Sequence, residues 1–254
     1  MTTMLAVRDV VKRFGNLTAV DGVDLEIAEG TITALIGPNG AGKTTLFNLI
    51  TGALRADRGL VWLKDARLTG LTPERIVWVG LVRTFQITQV FPGLTALDGV
   101  TVARLARLGR GWHPFRLANR EAVARRDAAN LLEAVGLADL AERLVATLSH
   151  ADQKLVEIAM ALACDPLVLL LDEPTGGLAP EETRGVIGLL QRVVSERGIT
   201  VLLIEHDMEA VFAVAQRIVV LHQGKILADD TPAVVRRNPE VREVYLGRRF
   251  TDSR

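Results

Sequence analysis

Gly37-Pro38-Asn39-Gly40-Ala41-Gly42-Lys43-Thr44 fits the pattern G-x-x-x-x-G-K-S/T. It follows an apolar run ending at Ile36 and opens a segment in which Leu46, Leu49 and Ile50 fall at helical spacing. Glycines there let the chain curl until backbone N–H groups point inward as an anion nest, and the opening helix adds the positive end of its dipole. Phosphates are the natural guest. Lys43 is expected to reach the β and γ phosphates of a nucleotide, the Thr44 hydroxyl to ligate Mg²⁺, and Thr45 to bond a phosphate oxygen.

Leu169-Leu170-Leu171-Asp172-Glu173-Pro174 places two carboxylates at the C-terminal end of an apolar strand, the side on which open α/β sheets hold ligands. Asp172 is suited to the metal's coordination shell, and Glu173, one residue on, to polarising an attacking water as general base. Strand ends often carry Asp or Glu, so the pair gains its force from the phosphate loop. A second apolar strand ends at Ile204-Glu205-His206-Asp207, which brings His206 to the same sheet edge, within reach of a γ phosphate. His113, His150 and His222 read as structural side chains.

These groups need a scaffold, and the pattern along the chain supplies one. Short β-type runs at Met4 to Val10, Asp24 to Ile27, Thr31 to Ile36 and Leu60 to Lys64, set apart by Gly15, Gly30 and Gly59, predict a small mixed sheet. The helix after the glycine loop is expected over Thr44 to Leu54. Leu97 to Thr147 lacks clear strands, and helical spacing at Val123, Leu131, Leu132 and Val135 predicts a helical lobe ended by Gly136. Then alternation returns: a strand at Leu167 to Leu171, a helix from about Glu181 to Arg197 stopped by Gly198, and a strand at Thr200 to Ile204. Ile218 to Leu221 and Lys225 to Ala228, turned at Gln223 and Gly224, read as a hairpin. Buried strands alternating with helices imply a mostly parallel sheet covered on both faces.

Composition narrows the functions open to such a chain. With 254 residues and 49% hydrophobic content it can build its own core. Thirty basic residues balance thirty acidic ones, so no overall field recruits nucleic acid or an acidic membrane. No apolar run approaches the ~20 residues of a spanning helix, and Met1 to Val10 lacks the pattern of a secretory signal. The single Cys164 follows an apolar stretch and is expected to be a buried, inert thiol in a reducing compartment.

Taken together these residues resemble the ATP-binding subunit of ABC transporters, from about Leu5 to Gly247. The resemblance adds Phe14 in Arg13-Phe14-Gly15 as the aromatic that stacks on adenine, with Val20 in the same nucleotide-binding set as Asn39, Gly40, Ala41, Gly42, Lys43, Thr44 and Thr45. It adds Gln86 in Thr84-Phe85-Gln86 as the residue sensing metal and nucleophile, and His206 as a switch histidine. The implied fold is a P-loop NTPase core with a mostly parallel sheet, an antiparallel β subdomain and an inserted helical lobe. Residues 1–96 and 147–254 would form the core with the β subdomain, and 97–146 the lobe. Arg83-Thr84-Phe85-Gln86, Phe91-Pro92-Gly93-Leu94-Thr95, Glu205-His206-Asp207-Met208 and Tyr245-Leu246-Gly247 are similar to the subgroup serving branched-chain amino acid importers.

That resemblance implies ATP hydrolysis with ATP and Mg²⁺, coupled to import of a branched-chain or related amino acid. Implied partners are membrane permease subunits, a second ABC ATPase subunit as homo- or heterodimer, and indirectly a periplasmic solute-binding protein. The implied location is peripheral, on the cytoplasmic face of the inner membrane. Two departures stand out. The signature Leu-Ser-Gly-Gly-Gln or Leu-Ser-Tyr-Gly-Gln is Leu148-Ser149-His150-Ala151-Asp152 here, and Ala179 replaces an Asp or Asn. Ser149 and Ala151 would face the partner's nucleotide, so the resemblance implies a weakened partner site while this chain's own site is intact. Two other readings stay open. One is an ABC-type ATPase acting on nucleic acid or ribosomes, invited by Arg104, Arg107, Arg110, Arg116, Arg120, Arg125 and Arg126 with Trp112 and Phe115 between them. A solvated face, or one turned toward permease and lipid head groups, accounts better for that arginine set because acids elsewhere cancel the charge, so a nucleic-acid partner is not expected. The other is a non-catalytic nucleotide-binding regulator, motivated by Ala151, Asp152 and Ala179.

Overall fold

The computed structural model describes residues 2–84, 91, 93–108 and 114–246, apart from the side chains of 114–119 and 246. In chain order, strands β1 (Thr3–Phe14), β2 (Leu17–Ala28) and β3 (Ile32–Ile36) lead to helix α1 (Lys43–Ile50), then β4 (Arg58–Leu63), β5 (Ala66–Arg67), α2 (Pro73–Val79) and β6 (Leu81–Arg83). Three helices follow: α3 (Ala96–Leu108), α4 (Pro114–Ala134) and α5 (His150–Leu162). The chain continues through β7 (Val168–Asp172), α6 (Pro180–Arg197), β8 (Thr200–Ile204), α7 (Met208–Val214), β9 (Arg217–His222), β10 (Lys225–Asp230) and α8 (Pro232–Arg237).

The strands form two sheets. One has the order β2-β1-β4-β5 and is antiparallel throughout; the other has the order β10-β9-β3-β8-β7-β6 and is parallel except for its edge strand β10. The small sheet is therefore not mixed as expected. The Thr31 to Ile36 run, grouped with it from sequence, lies in the larger sheet between β8 and β9. A strand buried on both faces carries no signal of which sheet it joins.

Both faces of the parallel sheet are covered. Leu169 and Leu171, Val201 and Leu203, and Ile218 and Val220 face a core shared with α3 to α7. Val168 and Leu170, Leu202 and Ile204, and Val219 and Leu221 face a second core shared with α1 and the antiparallel sheet. The two-residue period of a strand sorts side chains between two apolar layers. Helix α3 packs on both α4 and α5, so the helical layer runs past residue 146. In α4 the buried stripe is Ala124, Ala128, Leu131 and Leu132, whereas Val123, expected on that stripe, is 50% exposed. Cys164 is half-buried rather than buried, its Sγ 3.6 Å from the Met160 carbonyl, and burial raises its thiol pKa. Gly198 ends α6 in the left-handed conformation, and Gln223 and Gly224, both at positive φ, turn the β9–β10 hairpin. Among the described residues no helix is long and apolar enough to cross a membrane.

Candidate active site

The C-terminal ends of β3, β8 and β7 lie side by side, and above them opens a cavity of about 690 Å³. Asn39 to Thr45 line one wall, Glu173, Ile204 and His206 another, and Phe14 with Leu17 to Ala19 the mouth. The loop reaches its shape through glycine. A Cβ on Gly42, at φ +103°, would stand 2.3 Å from the Ala19 carbonyl oxygen, and one on Gly37 would stand 2.1 Å from that of Leu221. Only a residue without a side chain lets the backbone pass there.

Gly42 is also the N-cap of α1, so no side chain caps the helix, and its first turn holds no acid. The first amides of α1 and the positive end of its dipole are thereby left for an anion. Lys43 bends back over the loop, its Nζ donating to the carbonyls of Gly37 at 2.7 Å and Pro38 at 3.1 Å. Burial pushes this ammonium below its ordinary pKa, and the nearby Glu173 and Asp172 oppose that shift. The charge is thus poised over the nest on carbonyls that a phosphate oxygen can replace.

On the far wall, Glu173 extends β7 by one step, its N–H donating to the Ile204 carbonyl at 2.9 Å. Its φ of +52° then turns the chain, and Oε1 comes to 3.2 Å from His206 Nε2. Two buried charges frame this pair from behind. Lys154 Nζ donates to the Glu173 carbonyl at 2.7 Å, while burial lowers the lysine's pKa against the pull of Glu205, Glu157 and Glu173. Glu205 accepts from Thr175 N–H at 2.8 Å and Thr175 Oγ1 at 2.5 Å, and from His206 N–H at 2.8 Å. It therefore ties the turn after Glu173 to the end of β8.

Asp172 is placed differently from its neighbour. Its carboxylate does not line the cavity but accepts from Arg83 Nη2 at 2.7 Å. Arg83 also donates to Asn48 Oδ1 at 2.5 Å and lies 5.5 Å from the centroid of the Phe47 ring. Val20, expected with the nucleotide-binding residues, is fully buried in the core of the antiparallel sheet, and Leu17, Thr18 and Ala19 line the cavity beside it. Its place in the strand alternation turns it inward. Phe14 is 48% exposed at the mouth, with the Lys12 ammonium 5.5 Å from its ring. Gln86 lies outside the described residues.

Ser149 and Ala151 stand apart from this cavity, lining another of about 480 Å³ together with Asp152 and Glu182. Ser149 caps α5 by accepting from Asp152 N–H at 3.1 Å, and its hydroxyl donates to Asp152 Oδ2 at 2.7 Å. Ala179, at the N-cap of α6, has no side-chain cap to offer; its N–H donates to Glu182 Oε2 at 2.8 Å and its carbonyl accepts from Thr183 N–H at 2.9 Å.

Among the described residues no group of three or more His, Cys, Asp and Glu could hold a metal by itself. The Thr44 hydroxyl and the Asp172 carboxylate are hard oxygen donors of the kind Mg²⁺ takes when phosphate and water complete its shell. Sequence reasoning missed Lys154 and quoted Arg83 and Glu205 only as parts of strings. The available signals were a lysine in register with buried Ala151 and Ile158 on one helix face, and acids or an arginine ending apolar strands. Three arginines of the lobe set make contacts within the protein, and Arg110 and the Arg116 side chain lie outside the described residues. Arg104 pairs with Asp127 and Asp165, Arg107 lies against the Trp78 ring and carbonyl, and Arg125 pairs with Asp98 and Glu142.

Residues 20–176 match the family model described as ABC transporter, and residues 225–251 match that described as branched-chain amino acid ATP-binding cassette transporter. The chain is 41% identical over 251 residues to the high-affinity branched-chain amino acid transport ATP-binding protein LivG of Salmonella typhimurium, covering 96% of this chain and 98% of the relative. Identity and coverage are the same for BraF of Pseudomonas aeruginosa, which carries the same description. Among solved structures, the ADP conformation of MJ1267, an ATP-binding cassette of an ABC transporter, aligns with a TM-score of 0.84 at 32% identity, over 97% of this chain and all of that one. A nucleotide-free cassette from an ABC transporter aligns with the same TM-score at 31% identity.

Proposed function

The chain belongs to the ABC transporter family, and we propose that it is the ATP-hydrolysing subunit of an importer for a branched-chain or related amino acid. One observation carries the reading: Glu173 and His206 face the phosphate loop across a single cavity wide enough for a nucleotide. In this reading the base of ATP stacks at Phe14 and the triphosphate lies along Asn39 to Thr45. The Lys43 ammonium moves from the Gly37 and Pro38 carbonyls onto the β and γ phosphates. Glu173 takes the proton of the attacking water as general base. His206, 3.2 Å from that carboxylate, orients it and reaches toward the γ phosphate. Thr44, Asp172 and Gln86 would hold Mg²⁺, which when bound neutralises phosphate oxygens and so favours the displacement.

The proposed working unit is a head-to-tail pair of ATPase subunits on the cytoplasmic face of the inner membrane, beneath two permease subunits served by a periplasmic solute-binding protein. Ser149 and Ala151 of one subunit would approach the phosphate loop of the other. Because Asp152 occupies the Ser149 hydroxyl, we assign this chain to a heterodimer whose other subunit supplies an intact signature. The pairing of Arg104 and Arg125 with carboxylates supports a transporter over a nucleic-acid machine, since paired guanidinium groups offer less charge to a phosphate backbone.

The test is Glu173→Gln in this chain, assayed together with the partner ATPase subunit. Mg·ATP binding is expected to persist while turnover falls roughly a hundredfold or more, the scale of a lost general base. Normal turnover would refute the assignment of the base. Uptake of labelled leucine into vesicles carrying the permease, both ATPase subunits and the binding protein tests the solute, and uptake indifferent to this chain would refute the importer reading.

A further inference from the structure

Lys154 is a buried cation that does not line the nucleotide cavity. It sits on α5, five residues beyond the cap Ser149, and extends its ammonium to a backbone oxygen of a different element, the Glu173 carbonyl, at 2.7 Å. That oxygen also accepts from the Gly176 N–H at 3.1 Å, and the Glu173 N–H is held by Ile204 at 2.9 Å. The peptide groups on both sides of the Glu173 Cα are therefore fixed. What they fix is a conformation a side-chain-bearing residue does not favour, with φ at +52°. The direction of the Glu173 carboxylate, 3.2 Å from His206, follows from that backbone.

Three features separate this contact from ordinary packing. A lysine in the buried stripe of an amphipathic helix is costly unless its charge is met, and an aliphatic residue would fill the same space. The acceptor is a carbonyl rather than a carboxylate, so the contact orients a peptide more than it neutralises a charge. And the two ends lie on elements of different layers, α5 in the helical layer and β7 in the sheet.

We propose that Lys154 is a positioning residue for hydrolysis, holding the Glu173 peptide in its left-handed turn so that the carboxylate points into the cavity. The inference rests on the reading of Glu173 as general base.

The experiment compares Lys154→Met, Lys154→Arg, Glu173→Gln and the Lys154→Met/Glu173→Gln pair in the full-length chain, with Tm measured for each and kcat and KM for Mg·ATP measured in the presence of the partner ATPase subunit. Losing a charge-assisted hydrogen bond predicts that Lys154→Met lowers kcat roughly ten- to a hundredfold. KM is expected to stay within about twofold, because uniform binding is untouched. Lys154→Arg, able to donate to the same carbonyl, recovers most of the rate. In the double variant, Lys154→Met adds nothing to the loss from Glu173→Gln. Unchanged kcat in Lys154→Met, or losses that multiply in the double variant, overturns the proposal. Should Lys154→Met fail to fold, Lys154→Leu, which likewise cannot donate, is judged by the same criteria. Normal turnover in Glu173→Gln removes the base assignment itself, whereas a slow Glu173→Gln beside a normal Lys154→Met removes only the role of the lysine.

Discussion

Removing Arg83 tests how much the buried ion pair at the end of β7 contributes to stability. The side chains of Arg83 and Asp172 are 10% and 2% exposed and meet at 2.7 Å. Arg83→Met keeps the length of the side chain and its place against the Phe47 ring but leaves the Asp172 carboxylate buried without its counter-charge. Deleting one partner of a buried ion pair costs about 3–5 kcal/mol. In a chain of this size each kcal/mol moves the midpoint by about 2–4 °C, so Tm without nucleotide should fall by roughly 6–20 °C. Calorimetry of the parent, Arg83→Met, Asp172→Asn and the double variant isolates the pair. With the carboxylate neutralised, the loss of Arg83 should cost less, leaving a coupling of about 1.5 kcal/mol or more. A midpoint within about 3 °C of the parent, or penalties that simply add, would refute the reasoning. Mg·ATP should also raise the midpoint of Arg83→Met more than that of the parent, because a bound cation supplies the missing charge.

Lys43→Ala should weaken ATP binding by roughly ten- to a hundredfold, the worth of a charged hydrogen bond to phosphate, while the fold persists. Titration with a fluorescent nucleotide reads this, and an unchanged Kd would remove the lysine from the site. Asp152→Gln should free the Ser149 hydroxyl and tighten ATP-dependent pairing of two copies about tenfold in a Glu173→Gln background. Analytical ultracentrifugation with and without ATP measures it, and equal association of both forms would show that Asp152 does not limit the pairing.

What could be read in advance divides along the range of the interactions. The runs at Thr200 to Ile204 and Leu167 to Leu171 became β8 and β7 within a residue, because an unbroken apolar run between breakers has few other solutions. Helix α2 went unseen since Ile76 is its one buried residue and no stripe forms. Strand β5, two residues long, lies below the reach of any pattern. The phase of α4 was misjudged at Val123 because the stripe uses alanines, which carry little hydrophobic signal. At the site, the phosphate loop was legible as a contiguous string. The frame around it was not. Arg83 meets Asp172 across 89 positions of chain, Glu205 meets Thr175 across 30, and Lys154 meets Glu173 across 19. Each of these roles exists only after the sheet order has brought distant segments together, and strand order is not written in local periodicity.

The start of α5 shows how the altered signature can be stable in one chain and costly in a pair. An α-helix leaves its first amides unpartnered and concentrates positive potential there. A phosphate from a facing subunit answers both needs, and so does an acid in the first turn. In this chain the acid is present: Asp152 binds the hydroxyl of Ser149, and Ser149 caps the Asp152 amide. An acid at this position contributes about 0.3–1 kcal/mol to the subunit alone. The same carboxylate opposes a second anion at the same helix end, because two negative charges would compete for one hydroxyl and one dipole. Ala151, buried beside it, adds a methyl group where the resemblance places a glycine. A residue that satisfies the isolated helix thus removes the need for a partner's phosphate to do so, and the energy of closing a pair falls by what Asp152 already supplies. The residues of the chain's own cavity carry no such substitution, so the effect of the altered signature should appear in the rate of the partner's ATP and leave this chain's nucleotide affinity unchanged.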